Sequence, residues 1–144
     1  MPLTSPKPLE PPPRELLGST VLVVEDERAW RLILDTDLRM LGYRVSMAED
    51  AREALALART VRPQVAIVDL MLPEPIDGWA LVAELREQGT PVPVIFYTAG
   101  TAFPPRVDPH VLGCVSKADD RADLYALLPD AIRRTRDAGR LSGL

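Results

Sequence analysis

The chain has 144 residues, with 17 Lys and Arg against 21 Asp and Glu, and so a formal net charge of −4. This length suits one domain rather than two; a single cysteine, Cys114, rules out a disulfide framework or a cysteine-rich zinc site, and no apolar run approaches the ~20 residues a bilayer demands. Mild acidity argues against nucleic acid as a partner, and the N-terminus lacks the basic-then-apolar order of a secretory signal, so the expectation is a cytoplasmic protein with no membrane attachment.

Six of the 15 prolines fall within the first thirteen residues: Pro2, Pro6, Pro8, Pro11, Pro12 and Pro13. Proline lacks the N–H and fixes φ, so residues 1–18 read as an extended, disordered arm, and residues 19–144 as the folded body. Thr20–Val24 is an apolar run of strand length. Trp30, Ile33, Leu34, Leu38 and Leu41 then recur with helical period, and Gly42 stops that helix. A short strand at Arg44–Ala48 precedes a helix capped by Asp50 that runs to about Thr60. Gln64–Asp69 is the third strand, Trp79–Gln88 the third helix and Pro93–Thr98 the fourth strand.

A helix should follow, but Pro104, Pro105 and Pro109 stand in its way, so a loop or one short turn is expected. Leu112–Ser116 is the fifth strand, and Asp119 or Asp120 caps a last helix that Pro129 should kink. Strands alternating with helices imply an α/β, flavodoxin-like doubly wound parallel sheet of five strands in the order 2-1-3-4-5. Functional groups in such sheets collect at the carboxyl ends of the strands.

Those ends carry Glu25-Asp26-Glu27, Asp69, Thr98 and Ser116-Lys117. Glu25, Asp26 and Asp69 converging uncompensated would repel strongly. A hard divalent cation relieves this, and Mg²⁺ favours one or two carboxylates with water and phosphate oxygens. Lys117 can neutralise phosphoryl oxygens and Thr98 can donate to one. Taken singly, the acids could be helix N-caps, Thr98 a strand former and Lys117 a solvated end. Together, at four strand ends, they read as one site.

Val21-Leu-Val-Val-Glu-Asp-Glu27, and Val68-Asp-Leu-Met-Leu-Pro73 followed by Asp77-Gly78, resemble the receiver domain of bacterial two-component response regulators. Leu41-Gly-Tyr43 and Arg62-Pro63 add to the resemblance. It implies that Asp69 is the phosphoacceptor, taking a phosphoryl group from a sensor histidine kinase or a histidine phosphotransfer protein. It also implies that Asp26 binds Mg²⁺ directly, Glu25 through water, and Met71 by its backbone carbonyl. Thr98 would be the switch hydroxyl and Lys117 the phosphate-pairing lysine.

The sequence departs from that pattern in four places. Asp77-Gly78 lies eight residues after Asp69, one more than usual, with Pro75 the extra residue. Ala118 follows Lys117 where the family has a cis proline, so a trans bond is expected. Only 18 residues separate Thr98 from Lys117, so the family's fourth helix should be shortened or missing, and a monomer or a non-standard dimer is expected. Cys114 replaces the aromatic residue that reports phosphorylation in many relatives. Ile95-Phe-Tyr-Thr-Ala-Gly100 is similar to a stand-alone subgroup with a Phe-Ala-Thr-Gly-type motif.

Trp30 lies near the expected rim, with packing onto the sheet its favoured role, and His110 is neither a credible metal ligand nor a phosphorelay histidine. The expectation is a stand-alone phosphoacceptor signalling protein without an output domain, not an enzyme beyond weak self-dephosphorylation, its downstream target unassigned. The rival is a receiver-like interaction module that works without phosphorylation. A flavodoxin-type redox carrier is disfavoured, since acids after the first strand would repel a flavin phosphate.

Overall fold

The computed structural model describes residues 7–73, 76–100 and 108–142. Five parallel strands, β1 (Thr20–Val24), β2 (Arg44–Ala48), β3 (Val65–Val68), β4 (Val94–Thr98) and β5 (Val111–Ser116), form one sheet in the order β2-β1-β3-β4-β5. The intervening helices are α1 (Arg28–Leu41), α2 (Ala51–Val61) and α3 (Gly78–Glu87), followed after β5 by α4 (Arg121–Tyr125) and α5 (Leu128–Ser142).

The continuous apolar strands are buried on both faces. Val21 and Val23 of β1, Val65 and Ile67 of β3 and Ile95 and Tyr97 of β4 meet Leu34 and Leu38 of α1 and Leu128 and Ile132 of α5. The alternate residues Leu22, Val24, Ala66, Val68, Val94 and Phe96 meet Ala54 and Ala58 of α2 and Leu81 and Leu85 of α3. Period-two alternation in a sheet clad on both sides produces this division.

The helix ends follow local chemistry. Asp50 caps α2 by accepting from the Glu53 N–H at 2.8 Å, and Asp77 caps α3 by accepting from the Ala80 N–H at 2.8 Å. Gly42 ends α1 in the left-handed conformation, φ 99°, as expected of a helix-stopping glycine.

Two expectations need correcting. Residues 7–18 are not a disordered arm. Their prolines keep the chain extended, but a 3-10 turn at Arg14–Leu16 drives Leu16 into the core at 1% exposure. Further along, Lys7 donates to Asp120 and Asp123, and Arg136 donates to the Glu15 carbonyl. Proline removes N–H donors without preventing apolar burial, and that burial seats the segment. Residues 1–6 of the expected arm lie outside the described residues.

The last helix is also divided rather than kinked. α4 ends at Tyr125 and α5 begins at Leu128, which puts Pro129 in the first turn of a new helix, where a missing N–H costs nothing. Pro75, Pro104 and Pro105 lie outside the described residues; Pro109 occupies a turn before β5. Among the described residues, no helix is long and apolar enough to cross a membrane.

Candidate functional site

Parallel pairing sends the carboxyl ends of β1, β3, β4 and β5 to one edge of the sheet. The Glu25 N–H donates to the Ala48 carbonyl at 3.0 Å, the Asp69 N–H to Val24 at 2.9 Å and the Lys117 N–H to Thr98 at 2.8 Å, so each functional residue leaves its strand in register with the next. Glu25, Asp26 and Asp69 offer carboxylate oxygens that all lie within 4.8 Å of one another. Glu25 and Asp69 are buried and Asp26 is exposed.

The acids are not spent as helix caps. Glu27 occupies the N-cap of α1 without a side-chain capping bond. Instead Arg31 reaches back from the first turn of α1 and donates through one Nη to the carbonyls of Glu25 and Asp26 at 2.9 and 2.8 Å. This clamp on the β1–α1 loop escaped the sequence reading; an arginine five and six residues past the acid pair was its only signal.

Lys117 closes the cluster, with its side chain 5% exposed and its ammonium donating to Glu25 Oε1 and, at 3.2 Å, to Asp69 Oδ2. Asp69 Oδ1 accepts from the Met71 N–H at 3.0 Å. Among the described residues, the second Glu25 oxygen, Oε2, is buried with no hydrogen-bond partner. Burial pushes the Glu25 carboxyl up, to about 8, with Lys117 opposing the rise and Asp69 adding to it. Burial alone would lower the Lys117 ammonium, but Glu25 and Asp69 together hold it above the usual lysine range.

Thr98 is buried at the end of β4, paired with Ser116, and its hydroxyl accepts from the Gly100 N–H at 3.4 Å. Strand register thus brings Thr98 beside Lys117, while the hydroxyl faces its own loop. Gly78 brings the start of α3 against the loop after β3: its N–H donates to the Leu70 carbonyl at 3.1 Å. A Cβ there would fall 2.9 Å from Leu70 Cα and 3.0 Å from the Asp69 carbonyl. The acid-glycine pair therefore caps the helix with its acid and allows the close approach with its glycine.

Trp30 packs edge-to-face on Tyr97, ring centroids 5.5 Å apart at 87°, as its expected packing role requires. Its ring also lies 5.2 Å from the Lys117 ammonium. Cys114 is half-buried, and burial pushes its thiol up to about 11. His110 is tied to the exposed Asp108–Arg86 pair at the amino end of β5, away from the acids.

The orphaned Glu25 oxygen and the three-acid span fit a small divalent cation, since an octahedral Mg²⁺ shell measures about 4 Å across. The donor set is all oxygen, as that ion prefers.

Known proteins share both the sequence and the fold. "Probable transcriptional regulator ycf27" of Guillardia theta is 38% identical over 127 residues, covering 86% of this chain and 49% of that protein. "Response regulator MprA" of Mycolicibacterium vanbaalenii is 35% identical over 116 residues, covering 81% and 48%. The chain thus spans about half the length of the curated relatives it matches. The receiver domain of sensor histidine kinase PA1611 from Pseudomonas aeruginosa PAO1, solved with a magnesium ion coordinated in its active site cleft, superposes with a TM-score of 0.69 at 30% identity, covering 80% of this chain and 98% of that one. The signal receiver domain of a Luxo repressor protein from Vibrio parahaemolyticus has a TM-score of 0.76 at 21% identity, covering 89% and 100%, and speaks for the fold alone. Residues 21–128 match the response regulator receiver domain, and the chain belongs to that family of two-component signalling domains.

Proposed function

We propose that this receiver accepts a phosphoryl group on Asp69 from the phosphohistidine of a sensor kinase or a histidine phosphotransfer protein, and that the change at the site alters a partner-binding surface. Receiver domains are phosphorylated by histidine kinases. The observation that carries the reading is the buried junction of Glu25, Asp69 and Lys117 beside exposed Asp26, with one Glu25 oxygen left unpaired.

Glu25, Asp26, Asp69 and the Met71 carbonyl would hold Mg²⁺, which supplies charge neutralisation at the phosphoryl oxygens. In the transfer, an Asp69 oxygen attacks phosphorus in line, the P–N bond to histidine breaks, and the imidazole leaves with the electron pair and takes a proton. Little covalent work falls to the protein; positioning and charge do the rest. The Met71 N–H holds one Asp69 oxygen and so fixes the carboxylate plane. Lys117 moves its attention from the carboxylates to the new phosphoryl oxygens, and the Thr98 hydroxyl leaves Gly100 for the same group. Since the Lys117 N–H is bonded to the Thr98 carbonyl, the carboxyl ends of β4 and β5 shift together. The receiver domain is proposed over residues 19–144, with residues 7–18 packed against it, working in the cytoplasm.

A phosphorylation-independent interaction module is the second reading, favoured by one observation: Lys117 already pairs with both Glu25 and Asp69 without a phosphoryl group. The two separate on incubation with phosphoramidate and Mg²⁺, followed by intact mass measurement. Gain of one phosphoryl group, abolished by chelator and by Asp69→Asn, supports the first reading; no gain from any small donor or kinase leaves the second.

A further inference from the structure

Lys117 must hold one position at the end of a flexible four-carbon stem, whose free rotamers cost about 2 kcal/mol of entropy to fix. The turn after Lys117 is held by the Ala118 N–H donating to Ser116 Oγ at 3.1 Å and the Asp119 N–H donating to the Ser116 carbonyl at 3.0 Å, but these bonds fix the backbone and leave the side-chain stem free. The two carboxylate partners of Lys117 are also the groups the proposed chemistry claims: Asp69 as the phosphoryl acceptor, Glu25 as part of the metal site. A third contact is independent of both. The ammonium lies 5.2 Å from the Trp30 ring centroid, inside the roughly 6 Å reach of a cation–π interaction.

Trp30 is itself held. Its ring stands at 87° to Tyr97, which is 1% exposed and precedes Thr98 on β4. Tyr97, Trp30 and Lys117 thus form a continuous line of contacts from β4 through α1 to the loop after β5. Trp30 packs against the core cluster, and its ring also faces a nearly buried cation, where desolvation strengthens the attraction.

We propose that Trp30 is a positioning residue for Lys117: its ring holds the ammonium over the site when the carboxylates are engaged elsewhere. The proposal rests on the phosphoacceptor reading for its purpose but not for its geometry. The chain contains two lysines, Lys7 and Lys117, and Lys7 is exposed, so it serves as an internal reference.

The test is proton–carbon NMR of the full chain with ¹³C-labelled lysine, without metal, alongside phosphoryl uptake from phosphoramidate at saturating Mg²⁺. In wild type the Lys117 ε-methylene protons should lie upfield of those of Lys7, shifted by the indole ring. Trp30→Leu should bring them to the ordinary lysine position and slow uptake about fivefold, the equivalent of ~1 kcal/mol. Trp30→Phe, which retains a ring, should keep a reduced upfield shift and most of the rate. Coincident Lys117 and Lys7 signals in wild type, or a shift unchanged in Trp30→Leu, overturns the proposal; so does wild-type uptake in that variant. If Trp30→Leu does not fold, wild type and Trp30→Phe decide the point by the size of the shift. If wild type takes up no phosphoryl group, the phosphoacceptor reading falls, and the NMR comparison still judges the Trp30 contact.

Discussion

Replacing Gly78 by alanine loads the loop that carries Asp69 with a single methyl group. The added Cβ would lie 2.9 Å from Leu70 Cα, 2.9 Å from Phe96 Cε1 and 3.0 Å from the Asp69 carbonyl oxygen. Carbon atoms rest at about 3.5–4.0 Å, so the carbon contacts are short by roughly 0.6 Å or more. Two of the three neighbours are backbone. The third, Phe96, is 1% exposed and packed edge-on against Trp79 with centroids 4.9 Å apart, so it has little room to turn. Relief requires the loop after β3 to move, and overpacking of this kind costs ~1–3 kcal/mol. Gly78 does not have a positive φ, so the cost is one of packing.

For a domain of this size each kcal/mol lowers the melting temperature by about 3–5 °C, which urea titration and thermal melting both resolve. Gly89→Ala is the control: nothing lies within 4 Å of its Cβ position, and its φ of +81° leaves only left-handed strain of ~1–2 kcal/mol. Both variants should lose stability, but Gly78→Ala alone should slow phosphoryl uptake, because it displaces the Asp69 peptide. Stability within ~0.5 kcal/mol of wild type, with unchanged uptake, would refute the close-approach argument.

Other expectations follow from burial and pairing. Tyr125→Phe removes the phenol that donates to the buried Asp37 at 2.6 Å and leaves Arg121 to hold that carboxylate, so urea unfolding should show a loss of ~1–3 kcal/mol. Leu16→Ala should cost about 2–4 kcal/mol, because Leu16 is 1% exposed within the core; no loss would return the segment to the disordered arm its prolines suggest. Cys114, its thiol pushed up to about 11 by burial against 9.0 for a free group, should react with iodoacetamide at pH 8 roughly a hundredfold more slowly than in the unfolded chain. Because the folded value is the higher one, the stabilising contribution of Cys114 is complete below pH 9 and lost as pH rises through about 11.

The sheet was legible in the sequence because parallel strands clad on both faces must be continuously apolar, and Val21–Val24, Val65–Val68 and Val94–Tyr97 are. Gly42 and Asp50 marked helix ends through chemistry that acts within a few residues of itself. What escaped was chemistry acting at a distance. The prolines of residues 7–13 specify an extended backbone but say nothing about where it docks, and Leu16 decides that by tertiary burial. Pro129 read as a kink in one helix, whereas the chain breaks at Ala126-Leu127, with Leu124 and Leu128 both in the core. At the site, strand ends indicated Glu25, Asp26, Asp69, Thr98 and Lys117. The Arg31 clamp and the cation–π contact of Trp30 depend on where α1 lies over the sheet.

The central claim is that Asp69 receives the phosphoryl group. Treating the full chain with phosphoramidate and Mg²⁺, reducing the acyl phosphate with borohydride and sequencing the peptides by mass spectrometry tests it directly. One modified residue is expected, Asp69, with modification lost in chelator and in Asp69→Asn. Modification at Asp26 or Glu25 instead, or an unmodified Asp69 peptide after treatment with every phosphoryl donor, would contradict it.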